Sequence, residues 1–404
     1  MRSPVRALIP VGLVAAAILA AACTPPPNQP LNPGSSTTAP TGPTTSATTT
    51  TTVVTGPPHL YSENPINSWG QDGIAYSVDI QGNTVYVGGD FSHAVKGKQS
   101  VARADVMAVQ RDTGDLLAGF VANTNGIVHV VLSDGISVYV GGEFTTVNGV
   151  AANHIAKLDA TTGAVDPGFH ATTTNFVSDL VLVGSKLYAV GEFGQMNGVS
   201  RQGAALLDKT TGALDPTFDP KTDGRVNTVA INPAGTKLYL AGIFQNVGSA
   251  SRPWIAEVNP TTGAAQGPTF TTVQDYVRDV TVGPDGLVYA AVGGKQNSAY
   301  AFDPTTGKQK WRQHANGDVQ AVKYSNGYVF FGFHDGFTIN GVRSYTLRIL
   351  AANPQTGALN PGFMPESGAY PGVLTIDADG TYLAVGGYFG RMGGTSVSGL
   401  SIHP

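Results

Sequence analysis

A pattern that recurs about every 49 residues is the strongest constraint on how this chain can fold. One anchor is an apolar stretch with glycine at or near its end, most often as Gly-Gly or Gly-acid-Phe, which occurs seven times, at 85–91, 138–144, 187–193, 238–244, 288–294, 328–333 and 382–389. The other is a turn with Thr-Gly at its end, which occurs six times, at 111–114, 159–163, 208–212, 259–263, 303–307 and 353–357. A fixed period of this length is typical of solenoids, propellers and arrays.

Each unit contains the signals of four short strands, as the segment 226–270 illustrates. Alternating and β-branched residues indicate strands, and Gly, Pro and Asn clusters separate them. Four-stranded units of ~40–50 residues fit the blades of a β-propeller. We therefore predict an all-β fold, a seven-bladed β-propeller of four-stranded blades, over residues 59–404.

The two ends of the repeat region complement each other. The last unit has strand patterns at 373–378, 382–387 and 397–402 and then stops at Pro404, before its turn and fourth strand. Residues 59–69 lie where the end of a unit belongs. We expect this N-terminal segment to supply the outer strand of the final blade and to close the ring, which would remove exposed sheet edges.

The acidic residues of the repeated turns are expected to be structural. Asp159, Asp208 and Asp303 each begin a turn that ends in Gly. An Asp at the first turn position bonds backbone groups two residues on, and the Gly supplies a positive φ. These carboxylates are therefore predicted to cap turns and not to act in catalysis.

Composition excludes several classes of function. Charged residues make up 12% of the chain and the net charge is −4, so the basic excess of a nucleic-acid binder is missing. The single cysteine excludes an internal disulfide and a thiolate zinc site. The eight histidines form no H-x-H or H-E-x-x-H cluster. We expect no catalytic residue, cofactor or metal, although a ring can also assemble ligands from separate blades.

The N-terminus has the organisation of an export signal. Arg2 and Arg6 precede an apolar stretch that ends in small residues before Cys23, so residues 1–22 are predicted to be a signal peptide. The sequence ILAAAC resembles the lipobox of bacterial lipoproteins, with Ala20 at the position where that family prefers Leu. The resemblance implies lipidation of Cys23 and attachment to a membrane through the acyl chains. The alternative is simple signal cleavage beside an incidental cysteine, which would leave a secreted protein.

Residues 23–58 are predicted to be a disordered spacer. Positions 24–58 contain 12 Thr, 9 Pro, 3 Ser and no charged residue. Such a segment cannot bury enough apolar surface to offset the entropy of ordering it. We expect it to hold the repeat domain away from the membrane.

The repeat also resembles a known family. The pattern YVGGxF…NGV…A…LDxTTGxxDPxF, clearest in 139–169 and 188–218, is similar to the bacterial delta-sixty repeat β-propellers, which are exported proteins. One unit, AFDPTTGKQKWRQ at 301–313, resembles instead the blades of quinoprotein propellers that bind PQQ. The blade boundaries near 290–335 are therefore left open.

The loops after the glycine-rich strands contain the candidate binding residues. Four arginines fall at similar offsets in these loops: Arg103, Arg201, Arg252 and Arg343. They would form a recognition surface of multivalent donors, or each would pair with the neighbouring blade. Phe176, Tyr276 and Tyr370 precede first strands, where they would border the same face or seal blade junctions.

These features together favour a membrane-anchored, extracytoplasmic lipoprotein on the outer face of a bacterial cell membrane. Its expected role is that of a non-enzymatic binding or scaffold module of the cell envelope, with an envelope protein or a glycan as partner and no nucleic acid. The alternatives are a propeller enzyme, either a quinone-dependent dehydrogenase or a glycan-active hydrolase or lyase, and a structural surface-layer component.

Overall fold

The computed structural model describes residues 60–368 and 370–404. The predicted signal peptide (1–22), Cys23 and the linker to residue 58 lie outside the described residues, and their assignments stay predictions. The described part of the chain consists of strands and connecting segments without a helix. It accordingly has no helix that is long and apolar enough to span a membrane.

The described strands form seven antiparallel sheets of three or four strands, which follow one another along the chain. We number them I to VII. Their strands are, in order, sheet I (Ile74–Gln81, Thr84–Asp90, Val106–Gln110), II (Val128–Ser133, Ser137–Gly142, Ile155–Asp159), III (Val177–Val183, Lys186–Gly191, Ala204–Asp208), IV (Val226–Ile231, Leu238–Gly242, Ile255–Val258, Ala265–Gln266), V (Val277–Val282, Val288–Val292, Ser298–Phe302, Gln309–His314), VI (Val319–Ser325, Tyr328–Phe333, Ile349–Ala352) and VII (Gly372–Ala378, Leu383–Tyr388, Leu400–His403).

The fourth strand is shorter than the sequence pattern predicts. Only sheets IV and V, among the described residues, have a four-stranded order. In sheets II, III and VI the fourth position is a single bridge, at Val165, Leu214 and Leu359. A proline follows each of these residues two positions later, and proline cannot donate to a ladder. The fourth strand of sheet V contains no proline and runs for six residues.

Six short hairpins connect the second and third strands of every sheet except V, within the described part of the chain. Asn-Gly pairs occupy three of the turns, as at Asn148–Gly149, where both residues have a positive φ. This is the pairing that a two-residue type I′ turn requires. The hairpins are His93–Lys96 with Gln99–Ala102 (joined by Gly70–Gln71), Thr146–Val147 with Val150–Ala151, Gln195–Met196 with Val199–Ser200, Asn246–Val247 with Ala250–Ser251, Phe337–Ile339 with Val342–Ser344, and Arg391–Met392 with Thr395–Ser396.

Neighbouring sheets pack through their first two strands. Each first strand contacts the first strand of the next sheet, and that of sheet VII contacts that of sheet I. Glycines in the second strands make this approach possible, because a Cβ on Gly141 would lie 2.7 Å from Val177 Cγ1 of sheet III. Gly386 meets Ala75 and Val78 of sheet I in the same way. Glycine at these positions therefore permits the close packing of neighbouring sheets.

The repeated turns are capped as predicted. Asp159 Oδ1 accepts the backbone N–H groups of Thr161 (3.0 Å) and Thr162 (2.7 Å) and the Thr162 hydroxyl (2.8 Å). The turn at Asp208 repeats this arrangement. The hydrogen bonds from Thr162 lower the pKa of the Asp159 carboxyl. The carboxylate is therefore used within its own turn.

The turn glycines provide a direct test of packing between sheets. Gly163 has a φ of +76° and a Cβ there would clash with the Val121 carbonyl oxygen, whereas Gly149 has a φ of +78° with nothing within 4 Å. We expect Gly149→Ala to cost about 1 kcal/mol from backbone strain alone. Gly163→Ala should cost more than about 2 kcal/mol, because the clash adds to that strain. Urea unfolding of both variants measures the difference, and equal losses would contradict this account of the turn.

The N-terminal segment pairs with the last strand. The Ser62 N–H donates to the Pro404 carbonyl (2.8 Å), and the Ile66 N–H donates to the Ile402 carbonyl (2.9 Å). Leu60 and Tyr61 pack into the core of sheets VI and VII.

A buried histidine joins the same two parts of the chain. His403 Nδ1 lies 2.8 Å from the Ser62 carbonyl oxygen, and its Nε2 lies 3.0 Å from Ser401 Oγ. Burial lowers the pKa of His403 to about 4, so the ring is neutral at pH 7. Because a carbonyl only accepts, Nδ1 carries the proton and Nε2 accepts from the Ser401 hydroxyl.

Candidate functional site

The hairpins and the beginnings of the first strands lie at the same end of the sheets. In sheet III, Val177 opens the first strand and pairs with Gly191, which ends the second strand just before the hairpin at Gln195–Met196. The residue Thr173, ahead of the first strand, forms a bridge with Met196 of that hairpin. We call this end the hairpin face.

A β-bulge marks the beginning of every first strand in the described part of the chain. The register shifts by one residue there and leaves one residue outside the ladder. Bulges re-aim side chains and often do so beside functional sites. The residues left outside the ladder are Tyr76, His129, Ser178, Asn227, Arg278, Gln320 and Leu374.

Four planar side chains from sheets I to IV follow one another at this end, and we call them the mouth arc. The ring centroids of Tyr76 and His129 lie 5.7 Å apart, and those of His129 and Phe176 lie 5.1 Å apart. The Arg225 guanidinium carbon lies 6.0 Å from the Phe176 ring centroid. All four side chains are half-buried. The Tyr76 and His129 rings are inclined by 58°, and the His129 and Phe176 rings by 53°. The arc is thus a row of partly exposed, inclined planar groups on which a ligand can stack.

Two members of the mouth arc, His129 and Arg225, each lie beside a carboxylate. His129 Nε2 lies 3.0 Å from Glu143 Oε1, and Arg225 Nη1 lies 3.6 Å from Glu192 Oε2. Arg225 Nε also donates to Asn227 Oδ1 (2.8 Å). The charge of Arg225 is therefore balanced by Glu192.

A second group, the Asp318 cluster, lies at the beginnings of sheets V to VII. It consists of Tyr276, Arg278, Asp318, His334 and Tyr370. The Tyr276 hydroxyl donates to Asp318 Oδ2 (2.7 Å), Arg278 Nη2 lies 3.1 Å from the same oxygen, and His334 Nε2 lies 3.9 Å from it. The Arg278 guanidinium carbon lies 4.7 Å from the Tyr276 ring centroid, and the Tyr370 ring meets the His334 ring edge-on at 5.4 Å.

The protonation of this cluster follows from its contacts. Burial acts to raise the pKa of Asp318, but the contacts with His334, Tyr276 and Arg278 outweigh it and hold that pKa well below its usual range. Burial, followed by the hydrogen bond to Asp318, raises the pKa of Tyr276. At neutral pH the cluster therefore holds a carboxylate, a guanidinium and a neutral phenol.

Sheet V differs from the other sheets at the hairpin face because, within the described residues, it has no hairpin between its second and third strands. A tight loop at 293–297 replaces the hairpin there. The Gln296 side chain substitutes for a strand, because its Oε1 accepts the Gln274 N–H (2.8 Å) and its Nε2 donates to the Thr272 carbonyl (2.8 Å). This is the unit whose sequence resembles a quinoprotein blade.

The hydrogen bonds of the four predicted arginines do not bring these residues together. Arg103 donates to the carbonyls of Ala102 (2.8 Å) and Ala118 (3.0 Å), inside its own repeat and not to the neighbouring sheet. Arg201 and Arg252 repeat this arrangement, and each reaches a carbonyl 15 residues further on. Arg103 and Arg201 are buried. These guanidinium groups fasten a hairpin to the end of its own repeat.

Arg343 differs from the other three. It is exposed, donates to the Asp335 carbonyl (3.2 Å) and lies over the Tyr345 ring at 4.5 Å. It belongs to the hairpin of sheet VI, which follows His334 of the Asp318 cluster in the sequence.

The three predicted aromatic residues all lie at the hairpin face. Phe176 is part of the mouth arc, and Tyr276 and Tyr370 are part of the Asp318 cluster. Each also contacts a residue of an adjacent repeat, so the two roles considered for them, bordering the face and sealing junctions, coincide. Tyr370 is 60% exposed and is the most accessible of the three.

Sequence reasoning missed a set of charged residues on the first strands. Four carboxylates each accept a backbone N–H from the first strand of the next sheet, at 2.8–2.9 Å. Lys323 Nζ lies 2.6 Å from Asp377 Oδ1. A charged residue inside a strand that is otherwise apolar was the available signal. The carboxylates and their donors are Asp79 with Ser133, Asp179 with Val229, Asp279 with Val322, and Asp377 with Ile80.

Burial dominates the titration of these carboxylates. It raises the pKa of Asp179 to about 7 and that of Asp279 to about 6. It also raises the pKa of Asp79, and the nearby Asp377 adds to that effect. Their oxygens already accept backbone N–H groups, so they stitch neighbouring sheets together. In the described residues, no group of three His, Cys, Asp or Glu side chains is placed to hold a metal ion.

Comparison with known proteins defines the class of fold. A family model described as a domain of unknown function (DUF5122) beta-propeller matches residues 133–169. The WD40 beta propeller domain of Doa1 is similar in structure, with a TM-score of 0.55 and 13% identity over 84% of this chain and 96% of that one. The computationally designed Ika8 protein is similar with a TM-score of 0.53 and 12% identity, over 85% of this chain and 99% of that one. No curated protein sequence matches.

These likenesses establish an all-β, repetitive β-propeller fold. The structural neighbours share too little sequence to inform on activity.

Proposed function

We propose that the chain is an extracytoplasmic lipoprotein whose propeller acts as a non-enzymatic binding module of the bacterial cell envelope. The observation that carries the binding role is the convergence of side chains at the hairpin face, where the mouth arc and the Asp318 cluster draw on all seven sheets. Most of these groups are half-buried and already paired with one another. Such an arrangement is suited to holding a partner in place.

We further propose that the propeller has seven blades and that the N-terminal segment closes it. The seven successive sheets and the contact between the first strands of sheets VII and I support this count. The hydrogen bonds of Ser62 and Ile66 with the last strand support closure. The similarity to delta-sixty repeat proteins, which are exported, agrees with the proposed location.

Binding can be tested with isolated envelope fragments. The intact chain should sediment with fragments of its host envelope. Arg225→Gln together with Tyr276→Phe should reduce the recovered fraction, and melting curves check that the double variant is folded at the temperature of the assay. Tyr328→Phe, at the opposite end of sheet VI, serves as a control. Unchanged recovery of the double variant would place binding elsewhere or exclude it.

The membrane anchor rests on Cys23. Replacing Cys23 by Ala should release the protein into the medium and remove the mass of the acyl chains, because those chains supply the membrane affinity. Fractionation and intact-mass spectrometry measure both effects. A wild-type protein without acyl mass would exclude lipidation, and membrane retention of Cys23→Ala would exclude the anchor.

A glycan-active hydrolase or lyase is the second candidate. The observation in its favour is a pair of first-strand carboxyl groups with raised pKa values, Asp179 and Asp279, which Thr228 Oγ1 approaches at 3.0 and 3.3 Å. Carboxyl groups that titrate near neutrality suit general acid catalysis. Release of reducing ends from envelope glycans, abolished by Asp179→Asn, would establish this function in place of simple binding.

A further inference from the structure

We propose that the hairpin face binds a neutral oligosaccharide, which stacks on the mouth arc and hydrogen-bonds to the charged pairs beside it. This inference rests on the proposed binding role and specifies its ligand. It draws on three observations: the geometry of the arc, its charge balance, and the open space next to it.

The geometry of the arc matches a ligand with flat apolar faces. Tyr76, His129, Phe176 and Arg225 succeed one another at 5.1–6.0 Å. Two of them, Tyr76 and His129, are bulge residues and lie outside the regular ladders. A chain of pyranose rings presents a flat C–H face at each unit, and aromatic and guanidinium planes are suited to receive such faces.

The charge balance disfavours an ionic ligand. Arg225 has Glu192 as its partner, and Arg278 has Asp318. A polyanion would have to displace these carboxylates, and a polycation would have to displace the guanidinium groups, with a desolvation cost in either case. Hydroxyl groups both donate and accept, so a neutral sugar can add to each pair without breaking it.

Space for such a ligand adjoins one end of the arc. An open groove of about 510 Å³ lies between sheets III and IV. Glu192, Gln202, Asp223 and Arg225 are among its lining residues, together with the backbone of Gly191, Gly194, Gly203 and Gly224. Polar side chains thus surround the place where a sugar stacked near Arg225 would direct its hydroxyls.

The test is calorimetric titration of the intact chain with three neutral tetrasaccharides: chitotetraose, cellotetraose and mannotetraose. Hyaluronan tetrasaccharide and polylysine are the anionic and cationic probes. We expect one neutral probe to bind with a Kd below about 1 mM, and the probe that binds separates an amino-sugar polymer from a hexose polymer as the source. The charged probes should not bind.

Variants locate the site. Tyr76→Leu and Phe176→Leu keep an apolar side chain but remove the ring, so each should weaken binding at least about tenfold, which corresponds to ~1.4 kcal/mol. Tyr328→Leu, at the opposite end of sheet VI, should leave the Kd unchanged. Arg225→Gln tests the same arc without changing an aromatic residue, and melting curves identify any variant that fails to fold.

The outcomes distinguish this inference from the proposed function. Binding that persists in Tyr76→Leu, Phe176→Leu and Arg225→Gln overturns the arc as the site, and failure of all neutral probes overturns the ligand class. Binding of a charged probe that depends on Phe176 overturns the neutral glycan and leaves the binding module intact. Cleavage of a bound tetrasaccharide overturns the non-enzymatic function itself.

Discussion

Replacing Lys323 by methionine will lower the free energy of unfolding at pH 8 by on the order of 3 kcal/mol. Lys323 is the partner of Asp377, 2.6 Å away, and its charge also acts on Asp79 and Asp279. Removing one partner of a buried ion pair leaves an uncompensated charge, which typically costs ~3–5 kcal/mol. The lower end applies because the Lys323 side chain is 32% exposed.

The loss should shrink as the pH falls towards 5. Asp79 has a raised pKa that the charge of Lys323 opposes, so without Lys323 the pKa of Asp79 must rise further. A carboxyl whose pKa is higher in the folded state binds more protons there than in the unfolded chain, so acidification favours the folded state. Protonation then removes the unpaired charges.

Denaturant unfolding at pH 5, 6.5 and 8 measures both effects. Lys221→Met is the matched control, because Lys221 is 70% exposed and lies 3.9 Å from Asp219, so its loss should remain below about 0.5 kcal/mol. Equal losses for the two variants, or a larger loss for Lys323→Met at pH 5 than at pH 8, would show that the first-strand charges do not act as described.

Deleting residues 59–69 will destabilise the propeller by on the order of 4 kcal/mol or more and cause aggregation. Leu60, Tyr61 and Ile66 pack against sheets VI, VII and I, and burial of each apolar side chain is worth roughly 1.5–3 kcal/mol. The deletion also removes the donors that Ser62 and Ile66 present to the last strand. That strand would become an exposed edge, which favours pairing between molecules.

A chain that lacks residues 24–58 is the control for this deletion. The deleted segment 24–58 is rich in Thr and Pro and offers little apolar surface, so its removal should leave the urea midpoint unchanged. Urea unfolding and light scattering compare the two chains. If the chain without 59–69 is monomeric and as stable as the control, the N-terminal segment does not complete sheet VII.

Local sequence signals predicted the propeller scaffold well. The second strands fall where the glycine-rich anchors lie, and Asp159 and Asp208 cap their turns. These features depend on residues within a few positions of one another, such as an Asp and the Thr that follows it. The sequence of a single repeat is therefore sufficient to predict these strands and turns.

The candidate site could be predicted only in part. Phe176, Tyr276 and Tyr370 were found because they precede first strands. Their partners His129, Arg225 and Asp318 come from other repeats, and the bulges that redirect Tyr76 and Arg278 depend on pairing between strands.

The arginines show that regular spacing in the sequence can have more than one structural cause. Arg103 and Arg201 occur at regular offsets, which suggested either one shared surface or pairing of each arginine with the neighbouring blade. The regular spacing instead reproduces one local contact in successive repeats, a hydrogen bond from each guanidinium to a carbonyl 15 residues later. A periodic residue in a repeat protein can thus be periodic because of the scaffold alone.

The pairing of Ser62 with Pro404 has a consequence for the order of folding. Almost the whole domain separates these two residues in the chain, so their contact forms only after Pro404 has been synthesised. Closing so long a loop is slow compared with pairing adjacent strands. Sheets I to VI can assemble while the chain is being made, but sheet VII needs both the segment around Ser62 and the strand Leu400–His403. A chain terminated before that strand would present unpaired strands to proteases and chaperones.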